Sequence, residues 1–237
     1  MYYAIYCPPR TGSTWLADML RNCLLGCPEE FTNPNRKNHF KLFEDWEKSV
    51  GPDKAQKMFK DWLHTHKSAR GILGIKALTN YIPATERMIG APDKIIFLVR
   101  RDKHRQAISL LRARTTGKWG VATSVIAGDY VRHQNHHDEQ NQLNEVFRNI
   151  LNQEQRCLEH ILVHRNNGVP IYILSYEDLQ ADTVGQINSI SQFLGVDEVH
   201  NMVQTTRTVQ RDELTEQMLE DWTDKPEATL PSTIKQF

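Results

Sequence analysis

Tyr3-Ala-Ile-Tyr-Cys-Pro-Pro-Arg-Thr-Gly-Ser-Thr-Trp-Leu16 is the stretch whose reading decides the fold of this chain. A short apolar run, Tyr2 to Cys7, passes through a turn directly into a helix start at Ser13. Proteins build anion cradles in this way. The first N–H groups of a helix have no intrahelical carbonyl, and the helix dipole adds partial positive charge where they point. Gly12 lets the backbone approach an anion closely, Ser13 and Thr14 supply hydroxyl donors, and Arg10 supplies a permanent cation with N–H groups in a fork.

The ATP/GTP loop reads G-x-x-x-x-G-K-[ST], with its lysine on the terminal phosphates. Here Ser13 follows Gly12 and the leading glycine is absent, so a magnesium-nucleoside triphosphate is poorly served. A second stretch, Lys94-Ile-Ile-Phe-Leu-Val-Arg-Arg-Asp-Lys-His-Arg-Gln-Ala-Ile-Ser109, is another apolar strand followed by arginines, an aspartate suited to cap a helix, and a helix carrying Ser109. An arginine at a strand end and a serine two turns into the helix can grip a phosphate together. Arg100 is favoured over Arg101 for that grip, with the alternative open.

The octapeptide Pro9-Arg-Thr-Gly-Ser-Thr-Trp-Leu16 resembles the 5′-phosphosulfate loop of sulfotransferases, which use 3′-phosphoadenosine-5′-phosphosulfate (PAPS) without a metal. In those enzymes a strand-end arginine and a helix serine hold the 3′-phosphate. The resemblance implies a nucleotide site made by Arg10, Thr11, Gly12, Ser13, Thr14, Trp15, Arg100 and Ser109, with 3′,5′-ADP as product. Gly26-Cys-Pro-Glu-Glu-Phe31, Arg100 to Ser109 and Leu111-Arg-Ala-Arg-Thr-Thr-Gly-Lys-Trp119 are similar to the bacterial trehalose 2-sulfotransferase-type family. The similarity continues through Gly71 to Leu78 and Ile171 to Leu179, and is loose from about Val196. In that family a carboxylate before the aromatic of Pro-x-Glu-aromatic is the proposed general base. That position is Glu30, with Glu29 as an adjacent competitor.

Composition fits an ordinary soluble enzyme. The 237 residues can bury one good core, and 29 basic residues cancel 29 acidic ones, so no global field points to nucleic acid or an anionic membrane. No apolar run approaches the ~20 residues needed to span a bilayer, and no signal peptide precedes Tyr2, so a cytoplasmic enzyme is expected. Cys7, Cys23, Cys27 and Cys157 are irregularly spaced, which fits reduced thiols, and no metal is expected. A homodimer is left open.

Parallel strands are expected at Tyr2 to Cys7, Ile72 to Ala77, Lys94 to Val99 and Pro170 to Ser175. Helices are expected from Ser13 to about Leu25, about Asp53 to Ser68, Arg105 to Thr116, Asp138 to Asn166 and Gly185 to Leu194. One α/β domain over residues 1–237 follows, a P-loop-type three-layer α/β/α sandwich with about four strands. A single nucleotide must touch the ends of the Tyr2 and Lys94 strands, so these are neighbours, with the Ile72 strand outside them. With right-handed crossovers the predicted order is 2-3-1-4.

Sulfuryl transfer puts negative charge on the leaving phosphate oxygen and takes a proton from the acceptor hydroxyl. Arg10 and the loop donors suit the first need, and Glu30 the second. Lys76 is placed to reach the sulfate or the acceptor. Trp119 falls in a region that lines the acceptor site in the resembled family, with a buried anchor as the equal alternative. His133, His136 and His137 cluster, while His160 and His164 lie one turn apart without the H-E-x-x-H pattern of a metal site. Tyr176-Glu-Asp-Leu179 reads as a helix cap, and Arg207 and Arg211 lie where a late basic loop covers the 3′-phosphate in the resembled enzymes. Two other classes remain: a small-molecule kinase, disfavoured by the missing lysine, and a non-catalytic nucleotide-binding protein of the same fold.

Overall fold

The computed structural model describes residues 1–34, 39–117, 119, 136–197, 199 and 213–227. Four strands form one parallel sheet: β1 (Tyr2–Cys7), β2 (Leu73–Leu78), β3 (Lys94–Val99) and β4 (Ile171–Ser175). Nine α-helices lie among the described residues: α1 (Ser13–Asn22), α2 (His39–Val50), α3 (Pro52–Leu63), α4 (Ile82–Ile89), α5 (Lys103–Thr116), α6 (His136–Asn166), α7 (Tyr176–Ala181), α8 (Thr183–Leu194) and α9 (Glu213–Asp221).

The strands are apolar on both faces because helices cover both. Tyr3, Ile5 and Cys7 of β1, with Ile96, Leu98 and Leu174, pack against Leu16 and Leu20 of α1 and Ile187 and Ile190 of α8. The alternate residues Ala4, Tyr6, Ile95, Phe97 and Val99 pack against Cys157, Leu158 and Ile161 of α6. Beyond the sheet, α5, α6 and α9 share a separate cluster that includes Leu110, Phe147 and Trp222.

The order is β2-β1-β3-β4, which corrects the predicted 2-3-1-4. The expected adjacency of β1 and β3 holds, as does the outer position of β2. The mistake is the side on which each partner lies. A shared anion fixes only that β1 and β3 touch, whereas the observed order lets β1 lead to its neighbour β2 and β3 to its neighbour β4. Register makes β1 pair along its whole length with β2, from Tyr2↔Leu73 to Cys7↔Leu78.

Helix boundaries depart from expectation where a local stop was hidden. The first helix ends at Asn22 rather than near Leu25, because Leu24 takes a left-handed φ of 58° and the Leu25 N–H turns back to the Leu20 carbonyl. The third closes at Leu63 and tightens into a 3₁₀ turn over His64–His66. Among the helices not anticipated, α4 carries Pro83 in its first turn, where the missing N–H costs nothing.

Candidate functional site

The turn between β1 and α1 stands where the cradle is expected. Arg10 and Gly12 both have positive φ, 63° and 80°, with Thr11 between them. Left-handed residues in a turn that leads into a helix N-terminus are the backbone from which anion-binding concavities are made. Gly12 is needed twice over: a Cβ there would lie 2.5 Å from the Tyr176 ring. Thr11 is buried and its hydroxyl donates to the Pro8 carbonyl at 3.1 Å, which braces the turn. Ser13 is buried against the Cys7 thiol, so what it offers the cradle is its N–H. Trp15 packs edge-on to Tyr176, with ring centroids 6.0 Å apart.

One face of α5 addresses this turn through residues three apart. Gln106 donates to the Pro9 carbonyl at 2.7 Å, and Ser109 accepts from Arg10 Nε at 2.9 Å. Arg10 also donates to the Trp119 carbonyl at 2.5 Å. Burial, then Arg100, then Arg112 push the Arg10 pKa down to about 10. Three guanidinium groups held this near one another attract an anion. The Arg100 guanidinium lies 4.9 Å from the Tyr176 ring centre, and its Nη1 donates to the Arg10 carbonyl at 3.4 Å. Arg101 turns away onto α7 and grips Asp178 with contacts of 2.8 and 3.2 Å. The geometry therefore puts Arg100, not Arg101, beside the cradle.

On the other side of the cradle lies a cavity of about 250 Å³, whose lining includes Thr14, Asp18, Arg21, Glu29, Glu30 and Lys76. Lys76 lies on the α1 face of the sheet, level with Ile5 of β1. It is buried, donates to Thr14 Oγ1 at 3.2 Å and pairs with Glu30 Oε1 at 3.1 Å. Glu30 Oε2 accepts from Asn33 Nδ2 at 2.6 Å. Glu29 forms a one-residue parallel bridge to Ile75, where successive side chains alternate in direction. The two carboxylates accordingly part. Glu30 turns in to Lys76, and Glu29 turns out to Arg21 at 3.0 Å.

Trp119 is not brought to this cavity; its side chain is half exposed. His164 is held by Glu86 at 2.7 Å beside Tyr6, and no group of three or more histidine, cysteine or acidic residues able to hold a metal occurs among the described residues. His133, Arg207, Arg211 and the His136 side chain lie outside the described residues. Tyr176 does more than begin a helix, although the cap exists: Ser175 Oγ accepts from the Asp178 N–H at 3.0 Å. Its place directly after a strand was the available signal, since ligands bind outside the carboxyl ends of parallel strands. For Gln106 and Arg112 the signal was their spacing from Ser109. His39, which lines the cavity against Trp62, gave none.

Residues 3–213 match the family described as the sulfotransferase domain. The chain belongs to that family. Among solved structures, the sulfotransferase domain from the curacin biosynthetic pathway aligns over 99% of this chain and 94% of its own, at 16% identity and a TM-score of 0.50. The sulfotransferase domain of the Synechococcus PCC 7002 olefin synthase aligns over 97% and 90%, at 17% identity and a TM-score of 0.43. The sulfotransferase from Alicyclobacillus acidocaldarius aligns over 92% and 91%, at 16% and 0.44. The first likeness is one of fold, and the fold is that of sulfotransferases. No curated protein matches the chain. No helix among the described residues is long and apolar enough to cross a membrane.

Proposed function

We propose that this sulfotransferase moves a sulfuryl group from PAPS to a hydroxyl of a small, uncharged, hydroxyl-rich acceptor such as a carbohydrate, in the manner of the trehalose 2-sulfotransferase-type enzymes it resembles. The observation that carries the reading is the pair of residue groups flanking one strand-to-helix turn. Arg10, Arg100 and Ser109 gather on the α5 side, and Thr14, Lys76 and Glu30 on the cavity side. Two such groups suit a nucleotide with phosphates at two positions. The residues fit it: the nest at Arg10 and Gly12 takes a phosphate, and the crowded guanidiniums are relieved by another.

When bound, the donor supplies a sulfuryl group whose bridging oxygen gains negative charge as its bond to sulfur breaks. Arg10 at the cradle, the α1 N–H groups, the Thr14 hydroxyl and the Lys76 ammonium meet that charge. The acceptor oxygen gains the new bond to sulfur, its proton goes to Glu30, and the electron pair of the broken bond stays on the phosphate. Lys76 and Asn33 orient the Glu30 carboxylate for that transfer. No metal is required.

At about 250 Å³ the cavity lies below the range of drug-sized pockets. Asp18, Glu29 and Glu30 outnumber Arg21 and Lys76, so an anionic acceptor is repelled while a polyol finds donors and acceptors. The test is thermal shift with 3′,5′-ADP without magnesium against ATP with magnesium, followed by labelled transfer to a metabolite panel. A ligand at about 100 times its Kd stabilises by about 2.7 kcal/mol. Stabilisation by magnesium-ATP and none by 3′,5′-ADP would sink the reading.

A further inference from the structure

Lys103 and Glu154 form an ion pair with no solvent exposure on either side chain, Nζ to Oε2 at 2.6 Å. Stability is a poor account of it. Lys103 opens α5, where a cation opposes the helix dipole, and both charges are shut away from bulk solvent. Burial pulls the Lys103 ammonium below its usual pKa and pushes the Glu154 carboxyl up, each partly offset by the other.

What the pair touches is the nucleotide site. Lys103 Nζ also donates to the carbonyl of Arg100, the first residue beyond β3. The next two N–H groups, of Arg101 and Asp102, donate to the Glu177 carboxylate at 2.9 and 3.1 Å. Glu177 follows Tyr176, whose ring lies beneath the Arg100 guanidinium. The turn is thus fastened at its carbonyl by Lys103–Glu154 and at its N–H groups by α7.

We infer that Lys103–Glu154 is a positioning element, which anchors the turn after β3 to α6 so that Arg100 faces the anion cradle. Both side chains are fully buried, so the pair acts through Arg100, whose carbonyl Lys103 holds. The inference rests on the donor reading above for its ligand but not for the turn itself. A purely structural pair is replaceable by apolar side chains of similar volume with little loss of fold, and nothing else should change. A positioning pair is replaceable for stability only.

The experiment therefore uses Lys103→Met with Glu154→Leu in the full chain. It reads melting temperature, the Kd for 3′,5′-ADP and for 5′-AMP by calorimetry, and amide hydrogen exchange. The expected result is a folded protein whose 3′,5′-ADP affinity falls about tenfold, the scale expected when a binding group is displaced without being removed. Its 5′-AMP affinity should stay within about threefold, and the Arg101, Asp102 and Arg105 amides should exchange at least about tenfold faster while the β1–β3 ladder is unchanged. Lys103→Arg with Glu154→Asp, which keeps the charges and roughly the combined length, should restore the parent affinity within about threefold. Should the apolar pair fail to fold, the neutral pair Lys103→Gln with Glu154→Gln is read in the same way. Unchanged 3′,5′-ADP affinity and unchanged exchange at the turn in a folded variant overturn the inference. A parent protein that does not bind 3′,5′-ADP overturns the donor reading instead, and the exchange measurement still decides whether the pair fixes the turn.

Discussion

Two buried lysine–glutamate pairs in this molecule share their chemistry and differ in their access to solvent. Lys76–Glu30 borders a cavity, and each partner has a further polar contact there, Thr14 for the lysine and Asn33 for the glutamate. Lys103–Glu154 is sealed, and the further contact of its lysine is a backbone carbonyl. An ion pair with a ligand at its edge can exchange partners during a reaction, because another charge or hydroxyl can replace the one given up. A sealed pair has nowhere to go: breaking it leaves a charge in a low-dielectric interior. Access, not chemistry, separates a pair open to a ligand from one that can only hold the backbone in place.

The sharpest way to break that contrast is Glu30→Gln, which keeps shape and hydrogen bonding but takes no proton at neutral pH. Single-turnover transfer should fall by about 10²–10⁴-fold with 3′,5′-ADP affinity unchanged. A near-normal rate would remove Glu30 from proton transfer. Next in size is Lys103→Met alone, which strands the Glu154 carboxylate. Denaturant unfolding should show a loss of about 3–5 kcal/mol, and a loss under about 1 kcal/mol would mean the pair is not buried as described.

Arg100→Ala and Ser109→Ala test the α5 side. Each should weaken 3′,5′-ADP binding by about 1.5–3 kcal/mol and leave 5′-AMP binding almost unchanged, since a charge-assisted contact to one phosphate is lost. Equal losses for both nucleotides would move the 3′-phosphate elsewhere. Glu29→Gln, whose carboxylate faces Arg21 in a half-exposed position, should change turnover by no more than a few-fold. A drop as large as that of Glu30→Gln would reverse the assignment of the two carboxylates.

The smallest effect is one of pH. Burial raises the Asp102 pKa, but hydrogen bonds from the Arg105 backbone and guanidinium outweigh it and hold the carboxyl below its usual 3.8. The folded form then binds protons less readily than the unfolded chain, so this group adds stability above about pH 4 that fades as pH falls through the lowered value. Asp102→Asn should flatten that acid limb in melting curves taken between about pH 5 and 3. An unchanged limb would show that other carboxylates carry it.

The sequence by itself determined the features whose signals are local. The β1 run, the turn at Gly12 and the start of α1 stand within one stretch of chain, as do β3, the Asp102 cap and Ser109, and the structure has them where expected. The parallel α/β character followed from short apolar strands alternating with amphipathic helices. Only the tertiary structure decided the strand order, the placing of Arg100 beside the turn and of Arg101 on α7, the separation of Glu29 from Glu30, and the two buried ion pairs. The reason is physical. Each of these depends on register or on contacts between distant segments, and a shift of one residue along a strand turns every side chain to the opposite face. Adjacent carboxylates are therefore equivalent in a sequence and become inequivalent only when Lys76 and Arg21 stand on opposite sides of them.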